Sequence, residues 1–414
     1  MTKLLAALAL ACATFAAAAS AATAPTAPPI SYGVADDTAK YADDGGAKFD
    51  PTLLGAGLTE NRWTLAFDPA NPTAIAELPF LQRAAPVAQK AGVRIVLALY
   101  SKKASEHDPT AFCAWAGTVA ATVKQWGITD LIVWNEPNTR LYWFPQKDAA
   151  GNDVAAPAYE ALLARCYDAI KAANPDERVI GMGLSPRAST PESNEPLVFL
   201  RDVGKAYRAS GRTAPIMDQL AIHPYPNPNS PTDSPSIGYP QPDRFGISNL
   251  SRVKQAVWDA FHGTGQPTTL NGLTFRIDEV GWQVDTTGLP GYVNPENVKT
   301  VSEATQAQYL AMMVQRYFAC DPTVTDVLLF LLVDEKYRNG RDESGAFVGG
   351  GWQSGLVTTD GHQRQAYGEM AQLAAAGRAA CAGAQVTWSP TRAAAPKAKP
   401  TAKPKTKKKT KPHT

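Results

Sequence analysis

Cysteine and histidine are scarce in this chain, with five of each among 414 residues. No two cysteines have the C-x-x-C spacing and the histidines form no cluster, so the sequence predicts no metal site, and we expect no cofactor. The G-x-S-x-G pattern that carries the nucleophile of many serine hydrolases is also missing, which argues against that class. The hydrophobic fraction of 44% is ordinary for a globular protein with a sizeable core.

Acidic residues are absent from residues 393–414, which instead carry eight lysines interspersed with Pro, Ala and Thr. Such a segment cannot bury apolar surface, and it predicts a disordered basic tail. Two interpretations stay open for this tail: a solubilising terminus, or a contact with an anionic cell-wall polymer. Because the tail dominates the formal net charge of +2, the rest of the chain is acidic. It has no evident basic face, so we expect no nucleic-acid partner.

Residues 1–21 have the pattern of a secretory signal peptide. Lys3 precedes an apolar run that ends in the small-x-small sequence Ala19-Ser20-Ala21, and the run is too short for a good membrane span. Cys12 offers an alternative, as the lipidated cysteine of a lipoprotein. We expect a secreted, extracellular monomer with a short linker (22–29), one domain (30–382) and a final linker with the basic tail (383–414).

Eight strand-then-helix units can be counted between residues 30 and 382. The predicted strands cover residues 30–34, 62–67, 93–100, 131–134, 179–184, 219–223, a run ending near 280, and 327–333. Strands that alternate with helical patterns indicate parallel βαβ units, and eight such units close a barrel. The predicted fold class is therefore α/β, a single (β/α)8 TIM barrel. Its longest connections fall on the C-terminal face, where a substrate cleft is expected.

Four cysteines remain after removal of the signal peptide, an even number that predicts disulfides in an exported protein. The sequence alone allows three pairings. The order of the predicted helices favours Cys113–Cys166 and Cys320–Cys381, because each bond would join neighbouring helices in the outer ring of the barrel.

The stretch 131–138, Leu-Ile-Val-Trp-Asn-Glu-Pro-Asn, is the most informative part of the chain. Its apolar run is typical of a strand buried on both faces, and Pro137 prevents the strand from continuing. Glu136 therefore lies at the C-terminal end of a barrel strand, a position that indicates catalysis. Taken alone, Glu136 could equally be a solvated carboxylate at the end of a strand.

A second stretch, 275–282, favours the catalytic interpretation of Glu136. Phe-Arg-Ile-Asp-Glu-Val-Gly-Trp also leads from apolar residues into a carboxylate, Glu279. Two carboxylates that end two strands of one barrel are what glycoside hydrolysis requires, since one must protonate the leaving oxygen and the other must attack or stabilise the sugar.

W-N-E-P-N at 134–138 and D-E-V-G-W at 278–282 resemble the acid/base and nucleophile strands of clan A glycoside hydrolases. Within that clan the chain is most similar to families 39 and 5, over about residues 30–382. The resemblance implies a retaining enzyme with Glu136 as acid/base, its pKa raised, and Glu279 as ionised nucleophile. The predicted substrate is an oligosaccharide or polysaccharide, with a β-linkage expected.

The resemblance also assigns supporting roles. Asn135 matches the clan's amide that holds a sugar hydroxyl beside the reacting carbon. Arg62, at the start of the second strand, would keep the pKa of the nucleophile low. His223 and Tyr225, at the end of the sixth strand, resemble the His and Tyr that contact the nucleophile or the substrate.

Aromatic residues in the cleft-side loops are candidate sugar platforms, because pyranose C–H faces stack on aromatic rings. The candidates are Trp143, Trp282 and Trp352, with Tyr142 beside them. One departure from the clan's pattern concerns strand eight. Many members end it with a tryptophan under the reacting sugar, whereas residues 331–335 here are Leu-Leu-Val-Asp-Glu. This loss leaves a carbohydrate-binding barrel without turnover as the alternative function.

Overall fold

The computed structural model describes residues 27–391 except 102, 106, 227 and 233–239. Eight parallel strands form a closed barrel in which each strand pairs with the next along the chain and the last pairs with the first. The predicted (β/α)8 fold is confirmed. The strands are β1 (Ser31–Ala35), β2 (Glu60–Phe67), β3 (Arg94–Ser101), β4 (Asp130–Val133), β5 (Arg178–Leu184), β6 (Gln219–Ile222), β7 (Thr274–Val280) and β8 (Val324–Leu329).

Helices surround the barrel and bury one face each against it. In the described residues they are α1 (Thr38–Tyr41), α2 (Phe49–Gly55), α3 (Leu78–Ala91), α4 (Pro109–Val123), α5 (Ala155–Ala173), α6 (Pro196–Ser210), α7 (Leu250–Phe261), α8 (Glu303–Met313) and α9 (Gln365–Ala376). Local sequence sets several ends. Asp108 caps α4 by accepting from Thr110 N, with Pro109 in the first turn, and Gly92 ends α3 in the left-handed conformation.

Charged side chains meet inside the barrel at the N-terminal end of its strands. Arg94 on β3 contacts Asp326 on β8, and Arg276 on β7 contacts Glu60 on β2. These strands are not neighbours, so the side chains must meet inside the barrel. We call the group at this N-terminal end the basal cluster; its members are Glu60, Arg94, Asp130, Arg178, Gln219, Arg276 and Asp326.

An apolar layer lies above the basal cluster. Side chains two residues apart on a strand face the same side, so the interior positions after Arg94, Asp130 and Arg178 include Val96, Ile132 and Ile180. With Ala98 and Ala221 these residues pack into a small buried cluster separate from the main core between strands and helices. The next interior positions reach the mouth of the barrel, where polar side chains return.

Two disulfides brace the outer ring. Cys113 of α4 is bonded to Cys166 of α5, and Cys320 is bonded to Cys381. The second bond ties the turn after α8 to the turn after α9. These are the two pairings that the helix order favours.

The predicted signal peptide (1–21) and the basic tail (393–414) lie outside the described residues. The chain after residue 382 continues over the barrel, since Val386 N donates to Cys320 O and Thr391 N donates to Gln255 Oε1. Within the described residues, no helix combines the length and the apolar character needed to span a bilayer.

Candidate active site

Glu136 leaves β4 through an unusual backbone. Trp134 and Glu136 both have positive φ, 77° and 42°, a conformation that costs free energy for residues other than glycine. The turn is fixed by two backbone bonds, from Trp134 N to Leu99 O at 2.7 Å and from Glu136 N to Gly183 O at 3.0 Å. The chain thereby turns sharply at the barrel mouth and presents the Glu136 carboxylate there.

Glu279 and Asp278 reach the same arginine although they are consecutive on β7. Adjacent residues of a regular strand point to opposite faces, but the pairing of β7 with β8 shifts register between Ile277 and Val280. As a result, Arg62 Nε lies 2.9 Å from Asp278 Oδ2 and Arg62 Nη1 lies 2.7 Å from Glu279 Oε1. The irregularity is the local reason why two carboxylates face the barrel mouth side by side.

Arg62 connects three of these side chains. Besides its two ion pairs, its Nη2 donates to Asn135 Oδ1 at 2.8 Å. Burial alone would lower the pKa of the guanidinium, but Asp278 and Glu279 raise it above its ordinary value, so Arg62 stays charged. The structure places Arg62 against the candidate nucleophile, as the sequence predicts.

His223 lies between the two candidate catalytic glutamates. Its Nδ1 is 3.0 Å from Glu136 Oε1 and 3.7 Å from Glu279 Oε2, and its Nε2 is 3.5 Å from Asp278 Oδ2. Burial alone would lower the pKa of this imidazole, but the three carboxylates outweigh it and raise the pKa to about 10. His223 is therefore an imidazolium at neutral pH.

Tyr225 completes the group. Its hydroxyl donates to Glu279 Oε2 at 2.9 Å, and burial together with the Glu279 charge raises its pKa well above the ordinary value, so it stays a donor. We call the polar group at this C-terminal end the mouth cluster; its members are Arg62, Asn135, Glu136, His223, Tyr225, Asp278 and Glu279. The structure brings together all the predicted polar site residues and adds Asp278, whose side chain is fully buried.

An aromatic wall stands beside the mouth cluster. The rings of Tyr225 and Trp352 stack with centroids 6.1 Å apart, and Phe330 meets Trp352 edge to face at 5.9 Å. Glu335 holds this wall in place by accepting from the backbone N–H groups of Gly351 and Trp352. Trp352 is half-buried and keeps part of its ring available to a ligand.

Phe330 is a site residue that the sequence analysis missed. The eighth strand was predicted at 327–333, which put Phe330 in its middle, whereas β8 ends at Leu329. Phe330 therefore stands at the strand end, where the clan's tryptophan is expected. The signal that could have found it is Asp326, a charged residue that lies inside the strand, two residues after its start at Val324.

Trp143 and Trp282 do not form sugar platforms in this structure. The Trp143 ring is 1% exposed, because it stacks at 4.0 Å on His107 of the loop after β3 and packs against Trp134 and Tyr159. Trp282 is fully buried, donates from Nε1 to Asn229 O, and packs against Tyr309. Both rings fill the space under loops and offer no face to a ligand.

Tyr142 and Tyr100 lie close enough to the mouth cluster to feel its charges. Their rings meet edge to face with centroids 5.9 Å apart. Burial raises the pKa of both hydroxyls, and the charges of Glu136 and Glu279 raise that of Tyr142 further. Both hydroxyls thus remain protonated donors.

Within the described residues no group of three or more His, Cys, Asp or Glu side chains could hold a metal ion.

Comparison with known proteins finds similar solved structures but no matching family model and no similar curated protein. Among solved structures, a family 39 glycoside hydrolase from the gut symbiont Bacteroides cellulosilyticus WH2 superposes with a TM-score of 0.57 at 18% identity. The match covers 84% of this chain and 64% of that chain, so this chain spans less than two thirds of its length.

Two further solved structures are similar. A GH39 β-xylosidase from Caulobacter crescentus has a TM-score of 0.52 and 14% identity, over 84% of this chain and 71% of that one. A GH5_18 protein from Streptomyces cattleya in complex with GlcNAc has a TM-score of 0.56 and 13% identity, over 85% of this chain and 81% of that one. At these identities the likeness establishes the barrel fold alone.

Proposed function

We propose that this protein is a retaining glycoside hydrolase that cleaves O-glycosidic bonds, with a β-linkage expected, in an oligosaccharide or polysaccharide. One observation carries the proposal. Because His223 Nδ1 is 3.0 Å from Glu136 Oε1 and 3.7 Å from Glu279 Oε2, those two oxygens lie no more than about 6.7 Å apart. That limit fits the roughly 5–5.5 Å separation of retaining enzymes better than the roughly 6.5–9.5 Å of inverting ones.

The surroundings of the two glutamates favour Glu279 as nucleophile. Arg62 donates to one of its oxygens and Tyr225 to the other, at 2.7 and 2.9 Å. Both contacts fix the carboxylate in one orientation, as attack on the anomeric carbon requires. Glu136 has a hydrogen bond from His223 to Oε1, and its side chain is 17% exposed, so it can be reached by the leaving group of a substrate.

The reaction would then proceed in two steps. Glu136 gives its proton to the glycosidic oxygen while Glu279 attacks the anomeric carbon, so that the leaving group departs as an alcohol and a covalent glycosyl–Glu279 ester forms. Glu136, now ionised, takes a proton from water, and the resulting hydroxide equivalent displaces Glu279 with a second inversion. The fixed charges of Arg62 and His223 balance the negative charge that moves between the glutamates.

The setting of the site supports a carbohydrate. Trp352, Tyr225 and Phe330 offer aromatic surface beside the reacting groups. One similar structure is described as a β-xylosidase and another holds GlcNAc. Disulfides are typical of exported proteins, in keeping with secretion by a signal peptide. Action as a monomer and contact of the basic tail with an anionic cell wall belong to this proposal.

The test is release of new reducing ends from β-glucans, xylans, mannans and bacterial exopolysaccharides. We expect activity from the wild type and a loss on the order of 10³-fold or more in Glu136→Gln and Glu279→Gln. Proton NMR of the first product from a β-linked substrate should show the β-anomer, because two inversions give retention. First formation of the α-anomer would exclude the mechanism.

The alternative, a carbohydrate-binding barrel without turnover, predicts a different result. It requires saccharide binding by calorimetry with no reducing ends from the wild type. The presence of both glutamates beside His223 favours turnover. The Gln variants separate the two functions, since they should keep binding in either case but lose activity only if there is activity to lose.

A further inference from the structure

A second concavity lies beside the mouth cluster, between the loops that follow β4 and β5. We call it the rim groove. It has a volume of about 670 Å³ and is bounded by parts of residues 147–153 and 188–195, by Val198 and Asp202 of α6, and by Arg244. This volume is in the range of sites that hold small molecules or a few sugar units.

The lining of the rim groove suits a ligand with many hydroxyl groups. Ser189, Thr190 and Ser193 supply hydroxyls. Asp153 accepts from Ala155 N and Ala156 N through Oδ1, and Asn194 is a further hydrogen-bonding neighbour of this carboxylate. The Ser189 and Thr190 hydroxyls lie 3.1 and 3.3 Å from Ser193 Oγ. Hydroxyls both donate and accept, so a sugar hydroxyl can join this set.

The charges of the groove argue against an anionic ligand. Arg244 donates to Glu195 from Nε and Nη2, at 2.9 and 2.6 Å. Lys147 Nζ donates to the carbonyls of Pro191 and Ser193 at 3.2 and 3.3 Å. Asp202, which also borders the groove, is paired with Lys205 Nζ at 2.5 Å. The charged groups at the groove are thus engaged within the protein, so an anionic ligand meets no unpaired cation and the lining favours an uncharged saccharide.

The groove is joined to the turn that carries Glu136. Asn194, in its wall, donates from N to Asn138 O at 2.9 Å and from Nδ2 to Gln146 Oε1 at 2.9 Å. Gln146 in turn donates to Pro137 O at 2.8 Å, and Asn138 Oδ1 accepts from Ser185 N at 3.1 Å. These amides are buried, so the groove wall and the 136–139 turn form one hydrogen-bonded unit. The groove therefore lies on the Glu136 side of the site.

We propose that the rim groove binds the leaving-group end of an uncharged oligosaccharide chain. This inference rests on the proposed function: Glu136 protonates the leaving oxygen, so sugars beyond the cleaved bond extend toward the Glu136 side. The site would then act on chains, because a chain that fills the groove gains contacts that a small glycoside lacks. Those contacts assist catalysis by holding the scissile bond against Glu136.

The test compares small and long substrates in variants that fill the groove. Val198 is 38% exposed on α6 and Ser189 is exposed on the opposite wall, so Val198→Trp and Ser189→Trp add a ring to the groove without disturbing the core. The substrates are 4-nitrophenyl β-xyloside, β-glucoside and β-mannoside, and the β-1,4-linked hexasaccharides xylohexaose, cellohexaose and mannohexaose. Ala209→Trp, at an exposed position near the end of α6 and away from the groove, is the matched control.

We expect kcat/KM on the hydrolysed 4-nitrophenyl glycoside to stay within about twofold of wild type in all three variants. On the matching hexasaccharide it should fall about tenfold in the two groove variants and stay unchanged in Ala209→Trp, since tenfold corresponds to about 1.4 kcal/mol of lost binding. Equal kcat/KM on hexasaccharides in all three variants would overturn the proposal. An equally large fall in kcat/KM on the 4-nitrophenyl glycoside in the groove variants would also overturn it, because the groove would then not be a separate subsite.

Binding separates failure of this inference from failure of the proposed function. Calorimetry measures the affinity of the three hexasaccharides for Glu279→Gln and for Glu279→Gln/Val198→Trp. Because neither variant turns over, the difference tests binding in the groove alone. If the wild type cleaves no substrate but the Trp substitution weakens hexasaccharide binding about tenfold, the hydrolase proposal fails and the groove remains a saccharide site. If binding is the same with and without the Trp, the groove is not a saccharide site.

Discussion

Arg276 and Arg62 both lie inside the barrel among carboxylates, one toward each end, and their surroundings differ in charge balance. In the basal cluster, three arginines face three carboxylates, Glu60, Asp130 and Asp326. In the mouth cluster, Arg62 and the His223 imidazolium face three carboxylates, Glu136, Asp278 and Glu279. The mouth cluster thus has one negative charge more than it can pair.

The carboxylates of the two clusters also differ in exposure. In the basal cluster, the side chains of Glu60, Asp130 and Asp326 are at most 3% exposed. In the mouth cluster, Glu136 and Glu279 keep 17% and 13% of their side chains exposed. Buried and paired carboxylates hold the strands together, whereas partly exposed carboxylates can be reached by a ligand. The difference indicates a structural role at the base and agrees with the catalytic role proposed for the mouth.

The largest effect should come from removing Glu279, the proposed nucleophile. Glu279→Ala is expected to lower kcat by on the order of 10³-fold or more, because the covalent step has no attacking group. Azide should restore turnover by entering the space left by the carboxylate, and the product should be an α-glycosyl azide. A β-azide from this variant, or an α-azide from Glu136→Ala, would mean that the two glutamates have exchanged roles.

Breaking the basal cluster should reduce stability instead of chemistry. Arg276→Met leaves Glu60 and Asp326 buried without their main cation, so we expect the free energy of unfolding to fall by about 3–5 kcal/mol. Lys205→Met is the control, because the Lys205 side chain is 78% exposed in its ion pair with Asp202 and its loss should cost at most about 1 kcal/mol. Urea unfolding at pH 7 measures both. Equal losses in the two variants would contradict a central role for Arg276.

A smaller effect should follow from weakening the imidazolium at the mouth. The carboxylates of Glu279, Asp278 and Glu136 raise the pKa of His223 from 6.5 to about 10 against the effect of burial, with Arg62 as the cation on the facing strand. A raised pKa means that the folded state favours the protonated form. Its stabilisation is therefore complete below pH 6.5 and is lost as the pH rises through about 10.

Asp278→Asn removes one of the three carboxylates that face His223. We expect the alkaline loss of stability and the alkaline limb of kcat/KM to move to lower pH by about one unit, while two carboxylates still keep the pKa of His223 above 6.5. Thermal unfolding from pH 6 to pH 11 and a pH–rate profile measure this. Asp342→Asn, on an exposed loop, is the control. If the alkaline limb of kcat/KM does not move in Asp278→Asn, Asp278 does not contribute to the raised pKa of His223.

The smallest effect should come from deleting the basic tail. Truncation after Thr391 removes the eight lysines and touches neither cluster, so the melting temperature and turnover of a small glycoside should stay near wild type. Binding to isolated cell walls should weaken at low salt and differ little at high salt, because exposed charges are screened. Equal wall binding at low salt would make the tail a passive terminus.

The two clusters were not equally predictable from sequence. Glu136 and Glu279 end apolar strands in recognisable motifs, so the barrel and the polar residues of its mouth could be inferred from strand ends. The basal cluster could not, because a charged residue at the start of a strand, such as Glu60 or Asp326, is expected to be solvated at a boundary. Only closure of the barrel brings β2, β3, β7 and β8 close enough for these charges to pair.

Loop residues were the least predictable. Trp143 and Trp282 were interpreted as platforms from their position after strands, but the fold of a long loop decides whether an aromatic ring covers the core or faces a ligand. Phe330 was missed through a three-residue error in the bounds of β8, which began at Val324 instead of Val327. β8 also ends at Leu329 instead of residue 333, so a residue expected inside the strand lies at its end.

The apolar layer formed by Val96, Ala98, Ile132, Ile180 and Ala221 has a consequence for how such a barrel can change over evolution. It keeps the side chains of the two charged regions out of contact, so a substitution at the mouth leaves the packing at the base unchanged, although the charges of Arg276 and Asp278 still attract each other. Free-energy changes from Arg276→Met and Glu279→Gln should then simply add, as they do for separate sites. Substitutions can therefore accumulate around Glu136 and Glu279 while the basal cluster continues to hold the strands in register.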